Sequence, residues 1–210
     1  MARCDDGPIA VVTGGNRGIG FEICRQLAER GARVVLTARK PAAGQTAVKK
    51  LAAQALAAAF HPLDVTDGKS IAALHDFLKT SYGHLDVLIN NAGIIAEDEA
   101  PALKVDLGAI RETLETNALG PLHLAQRLVP LLRRGSSTRI VNMSSGMGAL
   151  TDNDGGYAAY RISKTVLNAV TAIWAAGTPR VMSPKGPTPR SGLPLMRRRL
   201  SPGSSCATAR

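Results

Sequence analysis

The sequence predicts an α/β domain built on a doubly wound parallel sheet. Short runs of Val, Ile and Leu alternate with helical stretches from residue 8 to about residue 176. These runs are apolar almost throughout, as in strands buried on both faces by covering helices. The first run, Ile9-Ala10-Val11-Val12, passes through Thr13-Gly14-Gly15-Asn16-Arg17-Gly18-Ile19-Gly20 into the helical pattern that starts at Phe21. Repeated β-α units with right-handed crossovers wind helices onto both faces of such a sheet.

The glycine turn between the first strand and the first helix has a chemical use. Glycine admits positive φ and lets backbone approach a phosphate closely. The unpaired N–H groups of a helix's first turn, with the helix dipole, favour an anion at the same spot. The order strand, glycine turn, helix therefore makes residues 13–20 a dinucleotide-type site.

The remaining elements follow in order. Strand one is expected at 9–13 and strand two at 33–37, after Gly31, which is well placed as a helix stop. Strands three, four and five are expected at 58–63, 85–90 and 139–143. Helical patterns fill 44–57, 70–82, 105–132 and 156–176. No internal repeat of a solenoid's period is visible. The pattern then stops: residues 177–210 hold six prolines in 34 residues and no Asp or Glu. Such a composition buries too little apolar surface to offset chain entropy. The expected division is a nucleotide-binding domain over 1–176 and a disordered basic tail over 177–210.

Composition narrows the function classes. At 210 residues the chain suits one domain with a tail, and 45% hydrophobic residues suffice for a core. Aromatics are only 3%, so Ala, Val, Leu and Ile build that core. No apolar run approaches the roughly 18 residues of a membrane span. Residues 1–8 lack the apolar segment of a signal peptide. Cys4, Cys24 and Cys206 are scattered and odd in number, so a reducing, cytoplasmic compartment is expected rather than a disulfide framework. The net charge of +10 could suggest nucleic acid, but seven basic residues of the tail leave the rest near +3. No specific nucleic-acid partner is expected. His61, His75, His84 and His123 show no metal-ligand spacing, so no metal is expected either.

The second landmark is Ser145 with Tyr160 and Lys164. Residues four apart share a helix face, so Lys164 can hold its ammonium near Tyr160. A free phenol has a pKa of about 10, and a nearby cation stabilises the phenolate. Tyr160 then becomes a usable general acid. Ser145, at the C-terminal end of strand five, is placed to hydrogen-bond a substrate carbonyl, because ligands bind at C-terminal strand ends in such sheets.

With these residues the chain resembles the short-chain dehydrogenase/reductase family, close to its carbonyl-reductase-like branch. Thr13–Gly20 matches the cofactor loop of that family, Asn90-Asn91-Ala92-Gly93 the motif after strand four, and Asp64-Val65 the acidic site that meets adenine. Asn117, in Glu115-Thr116-Asn117-Ala118, matches the helix asparagine, and Ser145 with Tyr160 and Lys164 completes the tetrad. The resemblance covers about residues 8–176 and implies a Rossmann fold and nicotinamide-dependent carbonyl/alcohol chemistry. It implies cofactor contacts from Gly14, Asn16, Arg17, Gly18, Ile19, Gly20, Arg39, Asp64, Val65, Asn91, Ala92, Gly93, Tyr160 and Lys164. In its terms Tyr160 gives the proton, Lys164 lowers the tyrosine pKa and holds the ribose, and Ser145 orients the carbonyl. Asn117 anchors a water that links Lys164 to solvent.

NADP(H) is the expected cofactor. An acid after strand two would repel a 2′-phosphate; here the strand ends Thr37-Ala38-Arg39-Lys40, and Arg17 lies inside the glycine turn. The resemblance also sets out what the chain lacks. The sixth and seventh strands, the Pro-Gly loop and the covering helix of the family are not recognisable after residue 176, so the sheet is expected without its last one or two strands. A truncated or frame-shifted family member with little activity, at most binding nucleotide, is the rival reading. The short gap from Ser145 to Tyr160 leaves helix faces open for the family's usual oligomer contacts.

Overall fold

The computed structural model describes residues 7–96, 102–151 and 155–177. Its single sheet has five parallel strands: β1 (Ile9–Val12), β2 (Arg33–Ala38), β3 (Ala58–Pro62), β4 (Val87–Asn90) and β5 (Arg139–Asn142). They lie in the order β3-β2-β1-β4-β5. Val11 pairs with Val35 on one side and Leu88 on the other, so β1 is the point where the winding reverses. The helices are α1 (Gly18–Glu29), α2 (Pro41–Ala52), α3 (Gly68–Ser81), α4 (Leu107–Leu114), α5 (Gly120–Leu132) and α6 (Ala158–Gly177).

Period-two side-chain alternation divides the core between the two faces of the sheet. Val11, Val35 and Leu88 join Ile71, Leu74 and Leu78 of α3 and Leu124, Leu128 and Leu131 of α5. Their neighbours along the strands, Val12, Val34, Leu36 and Ile89, pack with Cys24 of α1 and Ala47 and Leu51 of α2. These strands therefore needed apolar residues at every position, which is why the sequence shows runs and not alternation. β5 departs from this: Ile140 and Val141 are 37% and 40% exposed. It is the outermost described strand beyond β4.

Boundaries differ from expectation in instructive places. β4 begins at Val87, not residue 85: the Asp86 N–H still donates to the Ile9 carbonyl, but the Ile9 N–H goes to the Asp86 carboxylate at 2.8 Å instead of a strand carbonyl. Pro41 at the first position starts α2 before residue 44. The long helix expected over 105–132 is α4 and α5 joined by a π-turn, Glu115–Leu119. Pro121 has no N–H to give the Asn117 carbonyl four residues back, so regular α-helix cannot continue there. The expected tail beyond Gly177 lies outside the described residues, as do Cys4 and Cys206. Among the described residues no helix is long and apolar enough to cross a membrane.

Candidate active site

In a parallel sheet every strand delivers its following loop to the same end. Here that end gathers the glycine turn after β1, Arg39 after β2, Asp64 and Val65 after β3, and residues 91–94 after β4. They line a cavity of about 470 Å³ that contains Gly14, Asn16, Arg17, Gly18, Ile19, Gly20, Arg39, Asp64, Val65, Asn91, Ala92 and Gly93. A second cavity, of about 260 Å³, carries Tyr160, Lys164, Ser144 and Met143. Ile19, Asn91, Gly93 and Ile94 line both, so the two form one path.

The glycine turn is clipped to the loop after β4. Thr13 Oγ1 accepts the N–H groups of Asn91 and Ala92, each at 2.9 Å, and Asn91 Nδ2 donates to the Thr13 carbonyl at 2.9 Å. Gly14 sits at φ 64°, a left-handed conformation that favours glycine. A Cβ on Gly20 would collide with the Gly14 carbonyl oxygen and the Asn91 amide. No side chain fills the cradle, and α1 starts immediately beyond it with Arg17 at its N-cap.

Asp64 lies across the cavity. Its Oδ1 accepts the N–H of Thr66 at 2.9 Å and the Thr66 hydroxyl at 2.7 Å. Burial pushes its pKa up, but the Thr66 contacts and the Arg39 charge outweigh that and hold the carboxyl below its ordinary value. It is therefore an anion at neutral pH, with Arg39 close enough to be felt.

At the other end, α6 carries Tyr160 and Lys164 on one face, as their spacing predicted. Lys164 Nζ donates to the Met143 carbonyl at 2.7 Å and stands 5.6 Å from the Tyr160 ring centroid. Lys164 is only 5% exposed, and burial lowers its pKa from the ordinary lysine value. Asn117 is buried in the π-turn: its Oδ1 accepts the Ile94 N–H at 2.8 Å and its Nδ2 donates to the Ile94 carbonyl at 2.9 Å. A Cβ placed on Gly93 would stand 3.2 Å from Asn117 Oδ1 and 3.8 Å from Lys164 Nζ, so these residues share one small space.

Ser145 follows the C-terminal end of β5. There its Oγ accepts the Met147 N–H at 3.2 Å and caps the short 3₁₀ turn Gly146–Gly148. Ser144, not Ser145, is on the wall of the Tyr160 cavity. Tyr157 sits in the left-handed region at φ 54° just before α6. Sequence reasoning also passed over Thr13, Ile94 and Ser163. The threonine was inside the quoted motif, but its role as acceptor is visible only once residues 91 and 92 are folded against it. Ser163 is fully buried against Asn117; its place just before Lys164 was the available signal.

The family model described as short chain dehydrogenase matches residues 8–179. The chain is 48% identical over 162 residues to (+)-neomenthol dehydrogenase of Arabidopsis thaliana, covering 67% of this chain and 54% of that protein. It is 44% identical over 150 residues to carbonyl reductase (NADPH) 1 of Sus scrofa, covering 70% and 50%. A solved metagenomic short-chain oxidoreductase in complex with NADP superposes with a TM-score of 0.71 at 33% identity, covering 81% of this chain and 76% of that one. The chain thus spans about half the length of the curated relatives it matches.

Proposed function

The chain belongs to the short-chain dehydrogenase family, and we propose that it is an NADP(H)-dependent oxidoreductase that reduces a small-molecule carbonyl to an alcohol. One observation carries the reading: the groove over the glycine turn continues into the cavity that holds Tyr160 and Lys164. Relatives named as carbonyl reductase (NADPH) and a related structure in complex with NADP support it.

The groove's own residues suit this cofactor. Gly14 and Gly20 let the turn and α1 close up on each other, and the first turn of α1 offers N–H groups to a pyrophosphate. β2 ends at Ala38 with no carboxylate, while Arg17 and Arg39 line the groove, which favours a 2′-phosphate. Asp64 and Val65 would meet the adenine end. When bound, the nicotinamide supplies the hydride.

The chain's residues handle the proton and the oxygen. Tyr160 donates its phenolic proton to the carbonyl oxygen as negative charge develops there. The Lys164 ammonium, held on the Met143 carbonyl, favours the phenolate left behind. Ser145 is the orienting hydroxyl that the family pattern implies; it accepts from Met147 and keeps its own proton to donate. Asn117 anchors, through the carbonyl that Pro121 leaves without an α-helical donor, a water leading from Lys164 to solvent. Exposed Leu107, Ile162 and Ile173 leave faces of α4 and α6 open to a second copy of the chain. A reducing, cytoplasmic compartment suits Cys24, whose burial pushes its thiol pKa up to about 12.

The test follows NADPH consumption by the purified chain with quinones and small aldehydes. Tyr160→Phe should lose about 10²-fold or more of the turnover while NADPH binding stays unchanged. Activity close to the parent's would remove Tyr160 as the acid. Alanine variants of Ser144 and Ser145 in the same assay separate the hydroxyl on the cavity wall from the one at the turn. A second reading, nucleotide binding with little turnover, is favoured by the exposed edge of β5.

A further inference from the structure

Ser163 is fully buried, yet it belongs neither to the apolar core nor to the cavity walls. It stands between Tyr160 and Lys164 in sequence but does not line the cavity that they line. Its Oγ donates to the Tyr160 carbonyl at 2.7 Å, three residues back along α6. That back-bond occupies the hydroxyl proton and leaves the oxygen as an acceptor. The donor that meets it is Asn117 Nδ2, at 3.0 Å, from the π-turn.

This contact decides which way the Asn117 amide points. Asn117 Nδ2 has two hydrogens, and the Ile94 carbonyl takes one at 2.9 Å. The other goes to Ser163, and Oδ1 is left facing the Ile94 N–H. A flipped amide would set its oxygen against the Ile94 carbonyl and its NH₂ against the Ile94 N–H. The joint therefore ties three parts of the site: helix α6, the π-turn, and the loop after β4. Ile94 lines both cavities, so its position sets the wall where the two meet.

We propose that Ser163 is a positioning residue, which through Asn117 fixes Ile94 and the spacing between the π-turn and the Tyr160–Lys164 pair. It touches neither substrate nor cofactor. The inference rests on the reductase reading for its effect on turnover, but the contact itself is testable without turnover.

The experiment compares the full chain with Ser163→Ala and Ser163→Thr. The first readout is hydrogen exchange of the Asn117 side-chain amide by NMR, with no ligand added. The second is kcat and KM with NADPH and a quinone. Losing one buried neutral hydrogen bond changes an equilibrium by about 3- to 10-fold. Ser163→Ala should speed Asn117 amide exchange by at least that factor and lower kcat by a similar one, with KM for NADPH unchanged. Ser163→Thr keeps the hydroxyl and should restore both values towards the parent's. Unchanged Asn117 exchange in Ser163→Ala would overturn the proposal, as would an unchanged kcat in a parent that turns over. Equal impairment of the threonine and alanine variants at equal Tm would overturn it too. A parent with no turnover counts against the reductase reading alone, because the exchange comparison still decides the role of Ser163.

Discussion

The Asp86 carboxylate is 2% exposed, accepts the N–H groups of Ile9 and Ser136 at 2.8 and 2.9 Å, and lies 3.3 Å from His84 Nε2. Burial pushes its pKa up, but the backbone donors of Ile9, Ser136 and Ser137 and the nearby His84 outweigh that and hold it below the ordinary carboxylate value. The sign follows directly. A depressed folded pKa stabilises the fold above the unfolded value of about 3.9, and the contribution is lost as pH falls through the folded value. The Ile9 and Ser136 N–H groups go to different oxygens, so Asp86→Asn sets an NH₂ against one of them and should cost about 1–3 kcal/mol at pH 7. Urea melts at pH 7 and pH 3 should show the gap between parent and variant narrowing in acid; a constant gap would refute the assignment. Arg39 is the residue that should read the cofactor. Losing a charge-assisted contact costs about 1.5–3 kcal/mol, so Arg39→Asp should weaken NADPH by roughly ten- to a hundredfold and spare NADH. Equal affinity of the parent for both cofactors, measured by titration calorimetry, would sink that role.

Two glycines of the same turn separate space from conformation at the scale of one element. Gly18 has φ 55° and nothing within 4 Å of a built Cβ, whereas a Cβ on Gly20 meets backbone at once. Gly18→Ala should therefore cost only the left-handed penalty, about 1–2 kcal/mol. Gly20→Ala must also push α1 away from the Gly14 carbonyl, at a further cost of about 1–3 kcal/mol. Thermal melts with and without NADPH check this: the Gly20 variant should melt lower and lose the stabilisation by cofactor. A Gly20 variant that keeps full NADPH protection would show that the close approach of turn and helix does not shape the site. The π-turn teaches the same lesson from the other side. The sequence was read as one helix over 105–132, and only the structure shows that it is interrupted before Gly120-Pro121, where Asn117 meets Ile94.

For the molecule as a whole, the decisive feature is the edge of the sheet. β5 has no partner strand beyond it among the described residues, and its Ile140 and Val141 are exposed. An exposed apolar edge strand templates pairing with other chains. Val141→Lys should reduce light scattering of the purified chain at micromolar concentration, without loss of NADPH binding; unchanged aggregation would place the liability elsewhere. Turnover of the parent should fall well below the enzyme median of about 10 per second. Holding the reacting centres in place contributes about 7–11 kcal/mol, and the chain that carries Ser144 and Ser145 leaves β5, whose Ile140 and Val141 are exposed.

What the sequence determined by itself was whatever depends on local order. Apolar runs, helical spacing and glycines between them are short-range signals, so five strands, their helices and the groove of Gly14, Arg17, Arg39, Asp64 and Asn91 were legible before folding. The Tyr160–Lys164 pair was legible because both residues ride one helix. Contacts between elements were another matter. Thr13 to Asn91, Asn117 to Ile94 and Ser163, and Asp86 to Ile9 join residues 23 to 78 positions apart. Only the parallel sheet, by bringing all C-terminal strand ends to one end and all N-terminal ends, where Asp86 meets Ile9, to the other, decides which of those polar groups meet. The choice between Ser144 and Ser145 at the cavity wall is of the same kind: adjacent residues of identical chemistry differ only in where the chain turns after β5.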